Sequence, residues 1–191
     1  MKKVVIFNGP PDSGKDEAAR YCTQVIRKTG KSAWHKEFKT KLFELTFAVY
    51  GVSEETFFSM YTRELKEVPS PMFGGISPRQ ALIKVSEQMI KPVFGSDYFG
   101  ICAAKDLKDG YSFFSDGGFV DEVYPIIDTA DEVVVVKIQR EGRDYTGDSR
   151  GYLDEGKFHD FPNVRFVYIE NNSTLEMFHL KLDALLEIVV K

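Results

Sequence analysis

FNGPPDSGKDEAAR, residues 7–20, is the most informative segment of the sequence. Within it, Gly9, Gly14 and Lys15 follow the spacing G-x-x-x-x-G-K. Glycines at this spacing let the backbone turn its N–H groups inward, and the lysine can then reach the β and γ phosphates of a nucleotide. The stretch therefore predicts a phosphate-binding loop.

The sequence on either side of the loop supports this prediction. KVVIF before it is typical of a buried strand, and DEAARYCTQVIRK after it places apolar residues on one helical face. A helix that begins directly after such a loop favours anions at its N-terminus. The alternative is a glycine-rich turn with a solvated lysine. The residues predicted to surround the phosphates are Gly9, Pro10, Pro11, Asp12, Ser13, Gly14, Lys15, Asp16 and Glu17.

Asp16 occupies the position where such loops usually carry Ser or Thr, whose hydroxyl binds Mg²⁺. A carboxylate is also a good oxygen ligand for Mg²⁺, but it repels phosphate when the metal is absent. We therefore expect Asp16 to be a metal ligand and triphosphate binding to depend strongly on Mg²⁺. The alternative is an acidic residue placed in the first turn of the helix by the helix dipole.

The composition predicts one soluble domain. The chain has 191 residues, of which 43% are hydrophobic, and a net charge of −4 with both signs interspersed. This charge pattern argues against a nucleic-acid partner, and no apolar run is long enough to suggest a membrane partner. Cys22 and Cys102 have no metal-like spacing, and KKVVIF at the start does not read as a signal peptide, so we expect a reduced, cytoplasmic setting.

Apolar strand patterns alternate with helical patterns along the chain. Because the strands lack polar alternation, the pattern predicts an α/β fold with a parallel five-stranded sheet flanked by helices. Ser77 and Pro78 predict the start of a helix, and Ser173 with Glu176 predicts a capping box. A polar insert at 139–160 is expected to be mobile. The predicted strands are KVVIF, SAWHKEF, YSFFS, EVVVVKI and VRFVYI, and the further predicted helices are TKLFELTFAVYG, SEETFFSMYTRELKE, SPRQALIKVSEQMI, DYFGICAAKDLKD and STLEMFHLKLDALLEIVV.

Four stretches together resemble the phage deoxynucleoside monophosphate kinases, a branch of the P-loop nucleotide kinases: GPPDSGKD, SPRQALIKVSEQMIKPVFGSDYFG, YSFFSDGGFVDEV, and VVVVKIQREGRDYTGDS with FVYIENNSTLEMF. The resemblance implies a three-layer P-loop NTPase-type domain over residues 1–191, with an acceptor-binding helical region at about 39–100 and a lid at about 139–160. It implies ATP and Mg²⁺ as cofactors, small nucleotides as partners, and a phage-encoded protein in the host cytoplasm. A homodimer is compatible with it.

The sequence departs from this family at three positions. Glu17 stands where the family commonly has Thr, so neither residue after Lys15 carries a hydroxyl. Gly118 stands where an Arg commonly follows the aspartate of the third stretch, and Ile83 aligns with a Gln. These departures leave the identity of the substrate open, and they leave room for reduced activity.

Phosphoryl transfer requires two phosphates in line, a metal between them, and cations where charge spreads in the transition state. Asp116 is the second predicted metal carboxylate, with capping of the next turn as the alternative. Arg79 is predicted to clamp the acceptor phosphate, and otherwise is a surface arginine. Arg140, Arg143 and Arg150 are predicted to close over the transferred group, and otherwise lie in a solvated loop.

The remaining predicted contacts are to the two bases and the acceptor. Asn171 and Asn172 precede the last helix, where the donor adenine lies in the family; Asn-Asn before a capping residue is also ordinary turn chemistry. Lys39 and Lys41 are predicted at the acceptor, or else form a charged surface turn. Phe38 and Tyr98 are candidates to stack on the acceptor base, although most phenylalanines belong to the core. The three histidines, His35, His159 and His179, are expected to be structural.

The sequence thus favours ATP- and Mg²⁺-dependent phosphoryl transfer to a nucleoside or deoxynucleoside monophosphate. Two alternatives stay open. One is a P-loop kinase of another small molecule, such as dephospho-coenzyme A. The other is a nucleotide-binding module that does not turn over, which Glu17 and Gly118 make plausible.

Overall fold

The computed structural model of the protein describes residues 1–148 and 150–190. Five strands form one sheet in the order β2-β3-β1-β4-β5, and every neighbouring pair is parallel. The predicted α/β class with a five-stranded parallel sheet is therefore confirmed, and all five predicted strands are present. The strands are β1 (Lys2–Asn8), β2 (Ala33–Lys36), β3 (Gly110–Gly117), β4 (Glu132–Gln139) and β5 (Val164–Glu170).

Helices connect β1 to β2, β2 to β3 and β3 to β4, whereas the connection from β4 to β5 contains a 3₁₀ turn; parallel strands need such long crossover connections. Among the helices of the described residues, none has both the length and the apolar character to cross a membrane. They are α1 (Lys15–Lys28), α2 (Thr40–Tyr50), α3 (Glu54–Met60), α4 (Pro78–Ile83), α5 (Lys91–Phe94), α6 (Tyr98–Lys105), α7 (Val120–Thr129) and α8 (Leu175–Val189), with a π-helical segment at Lys84–Ile90 and 3₁₀ turns at Pro71–Phe73 and Glu155–Lys157.

Two helix predictions need correction. The helix predicted over SEETFFSMYTRELKE ends at Met60, and the rest of that stretch forms turns. The capping box predicted for Ser173 and Glu176 is wrong, because the N-cap of α8 is Thr174, whose hydroxyl accepts from the backbone N–H of Met177. Ser and Thr are both favoured N-cap residues, and Ser slightly more so, so local preference does not predict that Thr174 is the cap. By contrast, Ser77 caps α4 as predicted and forms a capping box with Gln80.

Apolar clusters lie on both faces of the sheet. On one face, Phe7 and Val136 pack with α1 and α8; on the other, Ile6 and Val135 pack with α7. Successive residues of a strand point to opposite faces, which is why neighbours in the sequence separate into the two clusters. The result is three layers, with the sheet between two layers of helices.

A third apolar cluster lies under α2, α3 and α4, and we call these helices with their core the aromatic lobe. Its buried residues include Phe43, Phe57 and Phe73, with Phe43 and Phe57 in edge contact at 5.8 Å between ring centroids. The single tryptophan of the sequence, Trp34, lies outside the lobe, on β2 against Gly110. The lobe thus has its own core beside the sheet.

Candidate functional site

The candidate site lies at the carboxyl ends of the parallel strands. The first strand, β1, is central, and its neighbours β3 and β4 continue along the chain on opposite sides of it. Ligands of open parallel sheets bind in the crevice at such a point. The loop from Gly9 to Lys15, the phosphate loop, emerges there and leads directly into α1.

Glycine is required at both ends of the phosphate loop. Gly14 adopts a left-handed backbone with φ 106°, and a Cβ there would lie 2.6 Å from Nδ2 of Asn171. A Cβ on Gly9 would lie 2.6 Å from the carbonyl oxygen of Ile138. These close approaches explain the glycine spacing in the sequence. They also fix the loop tightly against β4 and the turn after β5.

Lys15 is buried at the start of α1, and its Nζ donates a hydrogen bond of 2.6 Å to the carbonyl oxygen of Pro10 across the loop. Burial lowers the pKa of this lysine to about 8, and the guanidinium of Arg150 contributes to the decrease. The ammonium therefore lies inside the phosphate loop beside a second cation. An anionic ligand would stabilise its charged form.

Ser13 adds an unpaired polar atom to the loop. Its Oγ is buried and has no hydrogen-bond partner within residues 1–148 and 150–190. Buried hydroxyls in proteins are nearly always paired, so an orphaned hydroxyl in a phosphate loop suits a ligand oxygen. The phosphate loop thus offers a hydroxyl and an ammonium to an anion.

The two asparagines predicted at the adenine hold neighbouring loops together. Nδ2 of Asn171 donates to the carbonyl oxygen of Ser13 at 2.8 Å, and Oδ1 of Asn172 accepts from the backbone N–H of Glu141 at 2.8 Å. Both therefore border the phosphate loop or the segment at 139–160. Their side chains join the turn after β5 to these two loops.

Glu17 joins α1 to α8. Its carboxylate accepts from Nε2 of His179 at 2.7 Å and from Arg20, and the His179 ring stacks on Tyr21 with centroids 3.9 Å apart. Burial acts to raise the pKa of Glu17, but hydrogen bonds from His179 and Arg20 outweigh it and hold the pKa below its usual value. Glu17, which stands where the family commonly has Thr, thus forms a contact between α1 and α8.

Three arginines gather on Asp12 of the phosphate loop. Arg63 donates to Oδ2 of Asp12 at 2.8 Å, and Nη1 of Arg143 lies 3.6 Å from the same oxygen. Arg140 donates to the Asp12 carbonyl oxygen at 3.0 Å. These residues line a cleft of about 380 Å³, which we call the phosphate-loop cleft, together with Gly14, Lys15, Asp16 and Glu17.

Arg63 was missed by sequence reasoning. It lies in a turn between α3 and the 3₁₀ turn at Pro71–Phe73, and no motif surrounds it. The only signal was a basic residue inside the region predicted to bind the acceptor. Its approach to the phosphate loop depends on how the aromatic lobe packs, which short-range patterns do not encode.

Arg150 is held beside the site by two contacts. Its guanidinium donates to the Asp148 carboxylate through Nε at 2.9 Å and Nη2 at 2.7 Å, and this pair lowers the pKa of Asp148 to about 2. The aliphatic part of Arg150 lies over Gly118, where an added Cβ would be 2.7 Å from its Cδ. The glycine that departs from the family pattern thus makes room for an arginine from elsewhere in the chain.

Asn8 anchors the segment that carries Arg150. Its buried amide donates toward the carbonyl oxygen of Gly151 at 3.0 Å and the hydroxyl of Tyr145 at 3.1 Å, and its Oδ1 accepts from the N–H of Leu153 at 2.8 Å. The carboxyl end of β1 is thereby tied to the second half of the predicted lid. Residue 149 of the predicted range 139–160 lies outside the described residues.

Asp116, at the carboxyl end of β3, caps the connection between β2 and α2. Its carboxylate accepts from the backbone N–H groups of Phe38 at 2.8 Å and Lys39 at 3.0 Å, and burial raises its pKa. These contacts cap a distant segment of the chain, not the next turn, which was the alternative to metal binding that the sequence offered. A carboxylate can accept further bonds, so the contacts leave the predicted metal role untested.

The predicted acceptor residues do not form one surface. Lys39 pairs with Glu37 at 3.2 Å, and the ring of Phe38 packs in the core on Phe114. Lys41 pairs with Glu44 at 2.7 Å, Arg79 with Glu67 at 3.2 Å, and Tyr98 packs on Phe94 with centroids 5.0 Å apart. Phe38 and Lys41, but not Arg79 and Tyr98, line a second cavity of about 720 Å³ together with His35, Cys102 and Phe114.

The residues of the phosphate-loop cleft fit a magnesium–nucleotide complex better than a free metal. Over the described chain, no group of three His, Cys, Asp or Glu residues is arranged to hold a metal. Mg²⁺ usually takes one or two carboxylates and completes its shell with phosphate oxygens and water. Asp16 lies in the first turn of α1, exposed to the cleft and next to Lys15. Its carboxylate is therefore the best candidate to contact the metal.

Comparisons with known proteins give likenesses of fold. No protein-family model matches the chain, and no curated protein matches its sequence. A sugar kinase from Janibacter sp. HTCC2649 is 12% identical with a TM-score of 0.40, covering 98% of this chain and 95% of that one. A plasmid partition protein from Borrelia burgdorferi B31, bound to AMPPNP, is 12% identical with a TM-score of 0.45, covering 100% and 99%.

A shikimate kinase from Bacteroides thetaiotaomicron is 10% identical with a TM-score of 0.39, covering 98% of this chain and 99% of that one. At these identities and TM-scores the likenesses carry no argument about this chain. The fold class itself is visible in this chain, which has a parallel sheet with a glycine loop between its central strand and α1. The chain therefore has a P-loop NTPase-type fold.

Proposed function

We propose that the protein binds ATP with Mg²⁺ in the phosphate loop and transfers the terminal phosphoryl group to a nucleoside or deoxynucleoside monophosphate. The observation that carries this proposal is the phosphate-loop cleft, where Lys15 and three arginines face a glycine loop at the end of the central strand. A site of this kind suits a ligand with several negative charges.

The charges around the cleft support a polyphosphate ligand. Four cations line it, namely Lys15, Arg63, Arg140 and Arg143, with the acids Asp12, Asp16 and Glu17. Glu17 is already matched by Arg20 and His179. The remaining two acids leave an excess of positive charge, which a triphosphate would neutralise. Mg²⁺ bound at Asp16 would add further positive charge for the triphosphate to neutralise.

The proposed roles of the side chains follow from their positions. Lys15 holds the β and γ phosphates, and the phosphate-loop amides bind the oxygens between them. Asp16 would hold Mg²⁺, directly or through water, and the metal would supply positive charge against the phosphates. Arg150, fixed by Asp148 next to Lys15, stabilises the negative charge of the transferred group. In this scheme the segment at 139–160 acts as a lid over the phosphates.

The acceptor is proposed to bind between the phosphate-loop cleft and the aromatic lobe. Arg79, in the first turn of α4 and paired with Glu67 at 3.2 Å, is the proposed contact to the acceptor phosphate. An arginine there is suited to a bidentate grip on a monophosphate. The second cavity, of about 720 Å³ and with Phe38 and Lys41 in its lining, offers room for a base and sugar. The family resemblance supports a nucleotide rather than another small acceptor.

An acceptor screen tests the proposal. Purified protein is incubated with ATP, Mg²⁺ and each nucleoside or deoxynucleoside monophosphate, and the diphosphate product is measured by chromatography. We expect at least one monophosphate to be converted, and Lys15→Ala to lose at least about a hundredfold in rate while keeping its fold. ATP binding without transfer to any monophosphate would instead support the nucleotide-binding module, and transfer to dephospho-coenzyme A alone would support the other kinase.

A further inference from the structure

Asp12 has an unusual place in the phosphate loop. It is a non-glycine residue with a left-handed backbone, φ 60°, and among the described residues it alone has this property. Its carboxylate contacts Arg63 at 2.8 Å and Arg143 at 3.6 Å, while its carbonyl oxygen accepts from Arg140. Arginines from two distant parts of the chain thus meet on one anionic group.

A carboxylate and a phosphate present similar oxygens to a guanidinium group, so the same arginines are suited to both. The contacts with Asp12 are exposed: the side chain of Arg63 is 76% exposed and that of Asp12 is 42% exposed. Exposed ion pairs contribute little to stability and are readily exchanged. A phosphate group carries more negative charge than one carboxylate and competes well for these arginines.

We propose that Arg63 is a phosphate-binding residue, and that the carboxylate of Asp12 competes with the phosphates of the nucleotide for it. This inference rests on the proposed function and adds to it a residue from the turn that follows α3 of the aromatic lobe. When the nucleotide binds, Arg63 exchanges Asp12 for a phosphate oxygen, and Arg143 follows the same exchange. Asp12 therefore lowers the affinity of the site for its own ligand.

The exchange also connects nucleotide binding to the aromatic lobe. Arg63 lies two residues beyond Tyr61, whose ring stacks on Phe57 in the lobe core with centroids 5.3 Å apart. The lobe contains the helices of the predicted acceptor region, so a shift of Arg63 toward the phosphates draws this region toward the donor. Arg63 would thus bring donor and acceptor regions together.

Calorimetric titration with ATP plus Mg²⁺, and with inorganic tripolyphosphate, tests the inference. Asp12→Asn removes the charge but keeps a residue that tolerates the left-handed backbone. We expect Asp12→Asn to tighten binding about three- to tenfold and Arg63→Ala to weaken it about tenfold. The affinity of Arg63→Lys should lie between those of Arg63→Ala and the wild type. Because the two residues act on one contact, Asp12→Asn should gain less in the Arg63→Ala background.

Arg165→Ala is the matched control, because it removes an exposed arginine whose partner, Glu132, lies at the opposite, amino end of the sheet. We expect its affinity to stay within about twofold of the wild type. Thermal melting confirms that each variant is folded. If the wild type binds, the inference is overturned by either of two results: an unchanged affinity of Arg63→Ala, or a weaker affinity of Asp12→Asn. Both results leave the proposed function standing. If the wild type binds neither ATP nor tripolyphosphate, both fail.

Discussion

At the scale of single residues, Lys15 links the proposed chemistry to pH. Its pKa is lowered to about 8, first by burial and then by Arg150 and Lys39, while Asp16 and Asp148 oppose the decrease. An unfolded lysine keeps its proton up to its ordinary pKa of 10.5. The folded protein therefore becomes more stable as pH rises from about 8 toward that value, since the buried group no longer carries a charge.

The same pKa predicts the pH dependence of binding. Because a phosphate ligand requires the charged form of Lys15, we expect ATP affinity to be highest below about pH 8 and to fall as pH rises through that value. Calorimetric titrations from neutral pH to about pH 10 measure this fall. Lys15→Ala should bind weakly at every pH. A wild-type affinity that stays constant above about pH 8 would contradict the role given to this ammonium.

Gly118 offers a second prediction at this scale. Replacing it with Ala would place a Cβ 2.8 Å from Cβ and Cγ of Arg150, so the arginine must move away from residue 118 and leave its present position. We expect Gly118→Ala to lower the rate of phosphoryl transfer by about ten- to a hundredfold while changing ATP affinity by less than about threefold. Steady-state kinetics with the best acceptor from the screen measure both quantities.

Arg150→Ala provides the control for this variant. If Gly118→Ala acts by displacing the arginine, combining the two changes should reduce the rate no further than Arg150→Ala alone. Additive losses would mean that Gly118 acts through another contact.

At the scale of elements, α7 carries a buried carboxyl group. Glu122, in its first turn, is buried, and burial raises its pKa to about 8. Asp116 and Glu87 raise this pKa further, while Lys91 and Arg150 lower it. The folded protein thus holds a proton that the unfolded chain releases near its ordinary pKa of 4.5. Stability contributed by the neutral carboxyl is full at low pH and is lost as pH rises from about 4.5 to about 8.

Glu122→Gln tests this assignment. The amide stays neutral, so we expect the variant to be more stable than the wild type by roughly 1–3 kcal/mol near pH 8 and to show no gain near pH 4. Denaturant unfolding at several pH values measures the difference. Glu44→Gln, an exposed acid on α2, is the control and should show little change at either pH. Equal stability of Glu122→Gln and the wild type near pH 8 would mean that burial does not destabilise the charged form of Glu122.

At the scale of the whole molecule, the fold could be predicted because its determinants are local. Apolar runs such as VVVV at 133–136 show no polar alternation, and this pattern indicates strands covered on both faces. Boundaries were harder to predict, as the cap of α8 at Thr174 and the early end of α3 at Met60 demonstrate. Helix boundaries depend on which residues tertiary packing buries, and the local sequence does not determine this.

The candidate site was predictable only in part, for the same reason. The glycine spacing pointed to the loop after β1, and Arg140 and Arg143 line the cleft beside it, while their predicted role in a lid stays a prediction. Arg63 and Asn8 were not predicted, because each acts through contacts with residues far away in the sequence. The proposed acceptor residues likewise depend on how the aromatic lobe packs beside the sheet. Short-range patterns carry no information about such contacts.

The separate core of the aromatic lobe affects how the protein can be followed by spectroscopy. Trp34 lies on the edge strand β2, whereas the buried rings of the lobe are phenylalanines such as Phe43, Phe57 and Phe73. Tryptophan emission will therefore report melting of that sheet edge and remain silent to small displacements of the lobe. Fluorinated phenylalanine, observed by NMR, would place reporters where the displacement occurs.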